Sequence, residues 1–197
     1  MSELTKTTEL LRSRRRGDMS PESAEFALAY TRLLARGKPV SAKELAQEIG
    51  DPVEFVTTAL HQMQQGGAEF NEKGELIGAA LTLTPTNHQF EVDGIQLYAW
   101  CALDTMFLSA YIGKTAKVTS SCPISNKMIS LTVHPDGIEN VIPEETVLSI
   151  MTATGCSAGI EGTFCSQVNF FASRDVAKQW VGDNSDFSIL SVSESYQ

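Results

Sequence analysis

At Gly66 and Gly67 the hydrophobic period of this chain falls from that of a helix to that of a strand. A helix returns to one face every three or four residues and a strand alternates its faces, so each stretch can bury its apolar side chains in only one way. Before the glycines, Ser20 can cap, Pro21 suits a first turn, and Phe26, Tyr30, Leu33 and Leu34 recur at helical spacing until Gly37. A second helix opens at Ser41 with Glu44 in the capping-box position and stops at Gly50; a third takes Asp51 as its cap, followed by Pro52, with Glu54 in the box position and Val56, Leu60 and Met63 as its buried stripe. After the glycines come Ala68 to Phe70, a turn over Asn71, Glu72, Lys73 and Gly74, and an apolar and Thr-rich run from Leu76 to Leu83. Three helices and a hairpin predict a winged-helix-like module over residues 20–84. The preceding residues, 1–19, are polar and carry Arg12, Arg14, Arg15 and Arg16, a composition expected to form a flexible arm.

Pro85 and Asn87 mark the passage to a second unit, residues 85–197. Asp93 and Gly94 predict a turn before Ile95 and Leu97, and a helix is expected from Tyr98 to Ile112, closed by Gly113. Strands are expected at Thr115 to Ser120, Met128 to Val133, Thr146 to Met151 and Gly162 to Phe171. A helix from Arg174 to Val181, capped by Ser173, then precedes a strand at Phe187 to Val192. The fold class expected is α+β: the winged-helix-like three-helix module followed by a mixed, largely antiparallel β-sheet domain with flanking helices. Antiparallel pairing is favoured because the connections are mostly short.

Charge and composition exclude several functions. The formal net charge is -9 and the pI near 4.8, so the long-range field repels polyanions. The third predicted helix, Pro52 to Gln65, contains neither Lys nor Arg, which removes the phosphate neutralisation that a DNA-reading helix needs. No nucleic-acid partner is therefore expected. No apolar stretch approaches the roughly 20 residues of a membrane span, and the amino terminus lacks a signal-peptide core, so a cytoplasmic protein without a membrane partner is expected. His61, His88 and His134 lack metal-ligand spacing, and there is no HExxH, paired CxxC, phosphate loop or GxSxG elbow.

Cysteine is the residue type left to carry chemistry. In a reducing compartment Cys101, Cys122, Cys156 and Cys165 are expected as thiols rather than disulfides. In the segment Trp100, Cys101, Ala102, Leu103, Asp104, the thiol and the carboxylate stand three apart on one helix face, a nucleophile beside a proton carrier. Taken alone, the spacing more often describes a buried thiol next to a solvated charge than a site. In the segment from Thr163 to Phe171, read as a strand, Cys165 shares a face with Gln167 and Asn169, which could present it to a cavity or simply bury it.

Together the Trp100 to Asp104 stretch, Ser121 and Cys122, the strand Ser130 to Val133, and Phe164, Cys165 running into Phe170, Phe171, Ala172 and Ser173 resemble the organomercurial (alkylmercury) lyases in order and spacing. The resemblance covers the chain from about residue 20 onward. It implies that Cys101 and Cys165 take the mercury, that Asp104 is the acid, and that Cys122 is structural. Ser166 stands where a second adjacent cysteine can occur in that family, and Asn169 where a histidine can; Cys156 has no assigned counterpart. The implied activity is protonolysis of carbon–mercury bonds to a hydrocarbon and Hg(II), with no organic cofactor, mercury being substrate and product. Small thiols would remove the product, and a mercuric reductase would receive it. Mercury(II) is soft and prefers thiolate, which fits these residue types. The competing reading is a soft-metal carrier or sensor that uses the same two thiols without breaking a bond; a carboxylate beside them adds little to such a site.

Overall fold

The computed structural model describes residues 20–151 and 164–196; the predicted amino-terminal arm and Cys156 lie outside them. Three helices open the described chain: α1 (Pro21–Leu34), α2 (Ala42–Ile49) and α3 (Val53–Gln65). The Ser20 hydroxyl accepts the Ser23 N–H at 3.2 Å. The capping box at Ser41 is present, its hydroxyl accepting the Glu44 N–H at 3.2 Å while the Glu44 carboxylate accepts the Ser41 N–H at 3.1 Å. Asp51 does not cap the third helix. Pro52, extended at ψ 139°, occupies the cap position and has no side-chain oxygen to offer, so α3 starts without a side-chain cap. Leu33, Leu34, Leu45, Val56 and Leu60, on the inner faces of these helices, are buried in the common core.

Eight strands form one sheet: β1 (Glu69–Phe70), β2 (Leu76–Ala79), β3 (Leu81–Thr82), β4 (His88–Val92), β5 (Ile95–Ala99), β6 (Ala116–Ser121), β7 (Met128–His134) and β8 (Gly137–Ile142). Their order is β1-β2-β3-β5-β4-β6-β7-β8, and every pairing is antiparallel. The hairpin that follows the three helices is therefore hydrogen-bonded into the sheet that carries the second half. The single strand expected from Leu76 to Leu83 is broken at Ala80, which reverses the chain at φ 64°. β4 and β8 were not legible: β4 hides an alternation of buried His88, Phe90 and Val92 behind a polar residue at an inward position, and β8 is a largely exposed edge.

A buried helix, α4 (Ala102–Ile112), lies against this sheet, with Ala102, Leu103, Met106, Leu108 and Ile112 in the core. Ser109 donates to the Val133 carbonyl at 3.0 Å and fixes it to β7. The helix begins four residues later than expected because Tyr98 belongs to β5, paired with Gln89 and Thr82. A smaller antiparallel sheet has the order β10-β9-β11, built from β9 (Val147–Met151), β10 (Phe170–Phe171) and β11 (Phe187–Ser191). α5 (Arg174–Val181) covers it, with Trp180 wedged between Phe171 and Phe187 at 5.4 Å from each ring. The described chain closes on α6 (Val192–Tyr196), which the periodicity did not predict. Among the described residues no helix is long and apolar enough to cross a membrane.

Candidate active site

Cys101 stands at the junction of β5 and α4, not within a helix. It is the residue that caps α4, extended at φ -147°, with its sulfur in the place of a capping side chain. Asp104 occupies the third helical position, and its carboxylate accepts the Cys101 N–H at 3.0 Å. The expected proximity of the two residues holds, but its cause is this reciprocal cap rather than stacking on one helix face. On either side the backbone is fixed from different directions: Trp100 N–H donates to the Ala80 carbonyl at 2.9 Å and Ala102 N–H to the Val168 carbonyl at 3.1 Å.

That last bond joins the two chemistry-bearing segments. Cys165 is not in a strand. It opens a 3-10 turn, Cys165–Gln167, closed by Val168 N–H to the Cys165 carbonyl at 3.1 Å, and only Phe170–Phe171 of the expected strand is extended pairing; Gly162 and Thr163 lie outside the described residues. Ser149 of β9 orients the turn, donating through its hydroxyl to the Gln167 carbonyl at 2.8 Å and accepting the Asn169 N–H at 3.1 Å. No periodicity in the sequence marks Ser149 for that task. The alternation proposed for residues 164–171 fails because a 3-10 turn has three residues per turn. Ser166 is exposed, and the Asn169 side chain donates to its carbonyl at 3.2 Å.

The result is one cluster. Cys101, Asp104 and Cys165 bring their sulfur and oxygen atoms within 4.8 Å of one another, the Cys165 thiol donating to Asp104 Oδ2 at 4.0 Å. Relative exposures of 1%, 8% and 5% make the cluster nearly dry. Among the described residues no other group of cysteine, histidine and carboxylate side chains converges in this way. Burial pushes the Asp104 carboxyl up to about 7, against the opposing pull of hydrogen bonds from Cys101. Burial also raises the Cys101 thiol well above its ordinary value, and the hydrogen bond its S–H donates to Cys165 and the charge of Asp104 add to this. Tyr30 of α1 is in the electrostatic field of Asp104; burial first, then Tyr111 and Asp104, push its phenol up to about 12. The group therefore holds two thiols and an acid that exchanges its proton near neutrality.

The other expected thiols and imidazoles lie elsewhere. Cys122 is buried at the end of β6 and is not a member of the cluster. Burial pushes its thiol up, but hydrogen bonds from Ser125 and from the backbone at Ser125, Ala172 and Ile124 outweigh that and leave it below its ordinary value. His88 packs its ring against Phe170 and faces the Ser120 hydroxyl at 2.9 Å, and burial lowers it to about 4. His134 pairs with Glu139 at 3.0 Å on the surface, and His61 is exposed.

Residues 81–197 match the family model described as alkylmercury lyase, and residues 7–80 match that described as the helix-turn-helix domain of alkylmercury lyase. The chain is 41% identical over 166 residues to an alkylmercury lyase of Staphylococcus epidermidis, an alignment covering 84% of this chain and 76% of that protein. It is 40% identical over 180 residues to an alkylmercury lyase of Pseudomonas putida, covering 91% and 84% respectively. The chain belongs to the alkylmercury lyase family. It is thus an enzyme of this lyase family, and its amino-terminal helices are the family's helix-turn-helix domain. The fold agrees: the crystal structure of the mercury-bound form of MerB2 superposes with a TM-score of 0.74 at 22% identity, covering 100% of this chain and 95% of that one.

Proposed function

We propose that this lyase cleaves carbon–mercury bonds by protonolysis, with Cys101 and Cys165 as the groups that take mercury and Asp104 as the proton carrier. The observation that carries the residue assignment is the convergence of two thiols and one carboxyl group, all buried, within 4.8 Å of one another. An alkylmercury cation enters and displaces the thiol protons, because the soft metal prefers sulfur over any other donor present. The proton of one thiol passes to the Asp104 carboxylate, which at an affinity of about 7 accepts it readily at neutral pH. The two thiolates donate electron density through mercury to the carbon. Asp104 then delivers the proton to that carbon, the carbon–mercury bond breaks with its electron pair on carbon, and the hydrocarbon leaves. Mercury(II) remains on two sulfurs, and the second thiol proton is released to solvent.

No organic cofactor enters this scheme, and mercury is substrate and product. Small thiols would withdraw the product by ligand exchange, after which a mercuric reductase is the fitting recipient. A cytoplasmic setting supplies both the small thiols and the reduced state of the cysteines. The test is incubation of the purified protein with methylmercury and excess thiol, with headspace analysis for methane. Methane from the wild type and none from Cys101→Ser or Cys165→Ser is expected. Stoichiometric mercury binding without methane would leave a soft-metal carrier, and undiminished turnover by Cys101→Ser would refute the residue assignment.

A further inference from the structure

The helix-turn-helix half of the molecule reaches the reactive cysteine through one carboxylate. Glu69 lies on β1, opposite Gly78 of β2, which in turn pairs with Thr82 of β3. The Glu69 side chain crosses over Gly78: its Oε2 accepts from the Thr82 hydroxyl at 2.5 Å and from the Thr84 hydroxyl at 2.8 Å. A Cβ at position 78 would stand 2.6 Å from Thr82 Oγ1 and nearer still to the Glu69 carboxylate, so the glycine is what leaves the crossing open. The other oxygen, Oε1, accepts the indole N–H of Trp100 at 3.0 Å. Trp100 is the residue before Cys101, half-buried against the core, with its own N–H tied to the carbonyl of Ala80 at the left-handed reversal between β2 and β3.

Two threonines orient the carboxylate, the carboxylate orients the indole, and the indole fixes the peptide on which the Cys101 sulfur is mounted. Such an arrangement costs backbone strain at Ala80 and a half-buried charge at Glu69, and packing alone requires neither. We propose that Glu69 is a positioning residue for the lyase reaction, acting through Trp100 to hold Cys101 in line with Asp104. The wing of a helix-turn-helix domain whose third helix, α3, carries neither Lys nor Arg thereby serves the active site. This inference rests on the proposed role of Cys101. Mercury capture tolerates some latitude in sulfur position, whereas delivery of a proton to carbon does not, so the loss falls on kcat and not on KM.

The experiment compares full-length wild type, Glu69→Ala, Glu69→Gln, Trp100→Phe and the Glu69→Ala/Trp100→Phe pair. Methane release from methylmercury with excess thiol gives kcat and KM, and iodoacetamide labelling with mass spectrometry gives the relative reactivity of Cys101 and Cys165 in the metal-free protein. Glu69→Ala and Trp100→Phe are each expected to lower kcat by roughly tenfold or more with KM changed less than about threefold, because small displacements of a reacting group carry losses of this order. The double variant should be no worse than the poorer single one, since both break one linkage. Glu69→Gln keeps an oxygen acceptor for the indole and should restore most of the rate. The Cys101 to Cys165 labelling ratio should shift in Glu69→Ala and return in Glu69→Gln. If Glu69→Ala does not fold, Trp100→Phe, which leaves the Glu69 bonds to Thr82 and Thr84 intact, decides the matter alone. A wild-type kcat for folded Trp100→Phe, multiplicative losses in the pair, or a Gln variant as slow as the Ala variant overturns the proposal. Absence of methane from the wild type itself would instead strike the lyase reading, and the labelling ratio would then still report on the positioning of Cys101.

Discussion

Replacing Asp104 by Asn separates its electrostatics from its shape. The buried carboxyl is raised from 3.8 to about 7, so between those values the folded state holds a proton that the unfolded state has lost. A group whose affinity rises on folding contributes stability that is lost as pH rises towards the folded value. From pH 5 to pH 7 that is two units at about 1.4 kcal/mol each, or about 3 kcal/mol. Asn has similar volume, can accept the Cys101 N–H, and does not titrate. Metal-free wild type and Asp104→Asn, both kept reduced, would be unfolded in urea at pH 5 and at pH 8. The variant should gain about 3 kcal/mol on the wild type between the two conditions, with equal m-values. Both remain below the range where the raised Cys101 thiol ionises, so the difference isolates Asp104. A difference between the two proteins that stays constant within about 1 kcal/mol across this range would refute the account of a dry, proton-holding carboxyl. The same variant should still bind mercury(II) through its two cysteines yet release no methane.

Two further outcomes follow from groups outside the cluster. His88 is held neutral and lowered from 6.5 to about 4, so its contribution is present above 6.5 and lost as pH falls; in the Asp104→Asn background about 2 kcal/mol should disappear between pH 7 and pH 5, and His88→Gln should remove most of that loss in the same urea assay. Ser173 accepts the Val176 N–H at 3.4 Å at the start of α5, and Ser173→Ala should cost about 1 kcal/mol in thermal or urea unfolding without altering methane release.

The helices and their caps were legible because their causes are local. Ser20, Ser41 and Ser173 are followed by the N–H groups they satisfy within three residues, and the sequence displays both partners side by side. Exceptions arose where local chemistry was overruled: Pro52 displaced Asp51 as the cap of α3, and Ala80 adopted a left-handed conformation that alanine does not advertise. The edge strand β8 has no buried alternation to read, and β4 has polar residues within its pattern.

The nearness of Cys101 to Asp104 was fixed by a separation of three residues, because a cap and a helix face both close over that distance. Burial, and with it the proton affinity of the carboxyl, could not be read from the chain. Cys165 meets Asp104 across 61 positions, and nothing in its own segment predicts this. The 3-10 turn, the bonds that Ser149 donates to Gln167 and accepts from Asn169, and the link from Ala102 to Val168 bring it there, and each depends on where β9 and β5 sit in their separate sheets. Glu69 and Trp100, 31 positions apart, are joined in the same way. Short-range contacts are fixed by bond geometry along the chain, whereas long-range ones exist only once the sheets have chosen their neighbours and register.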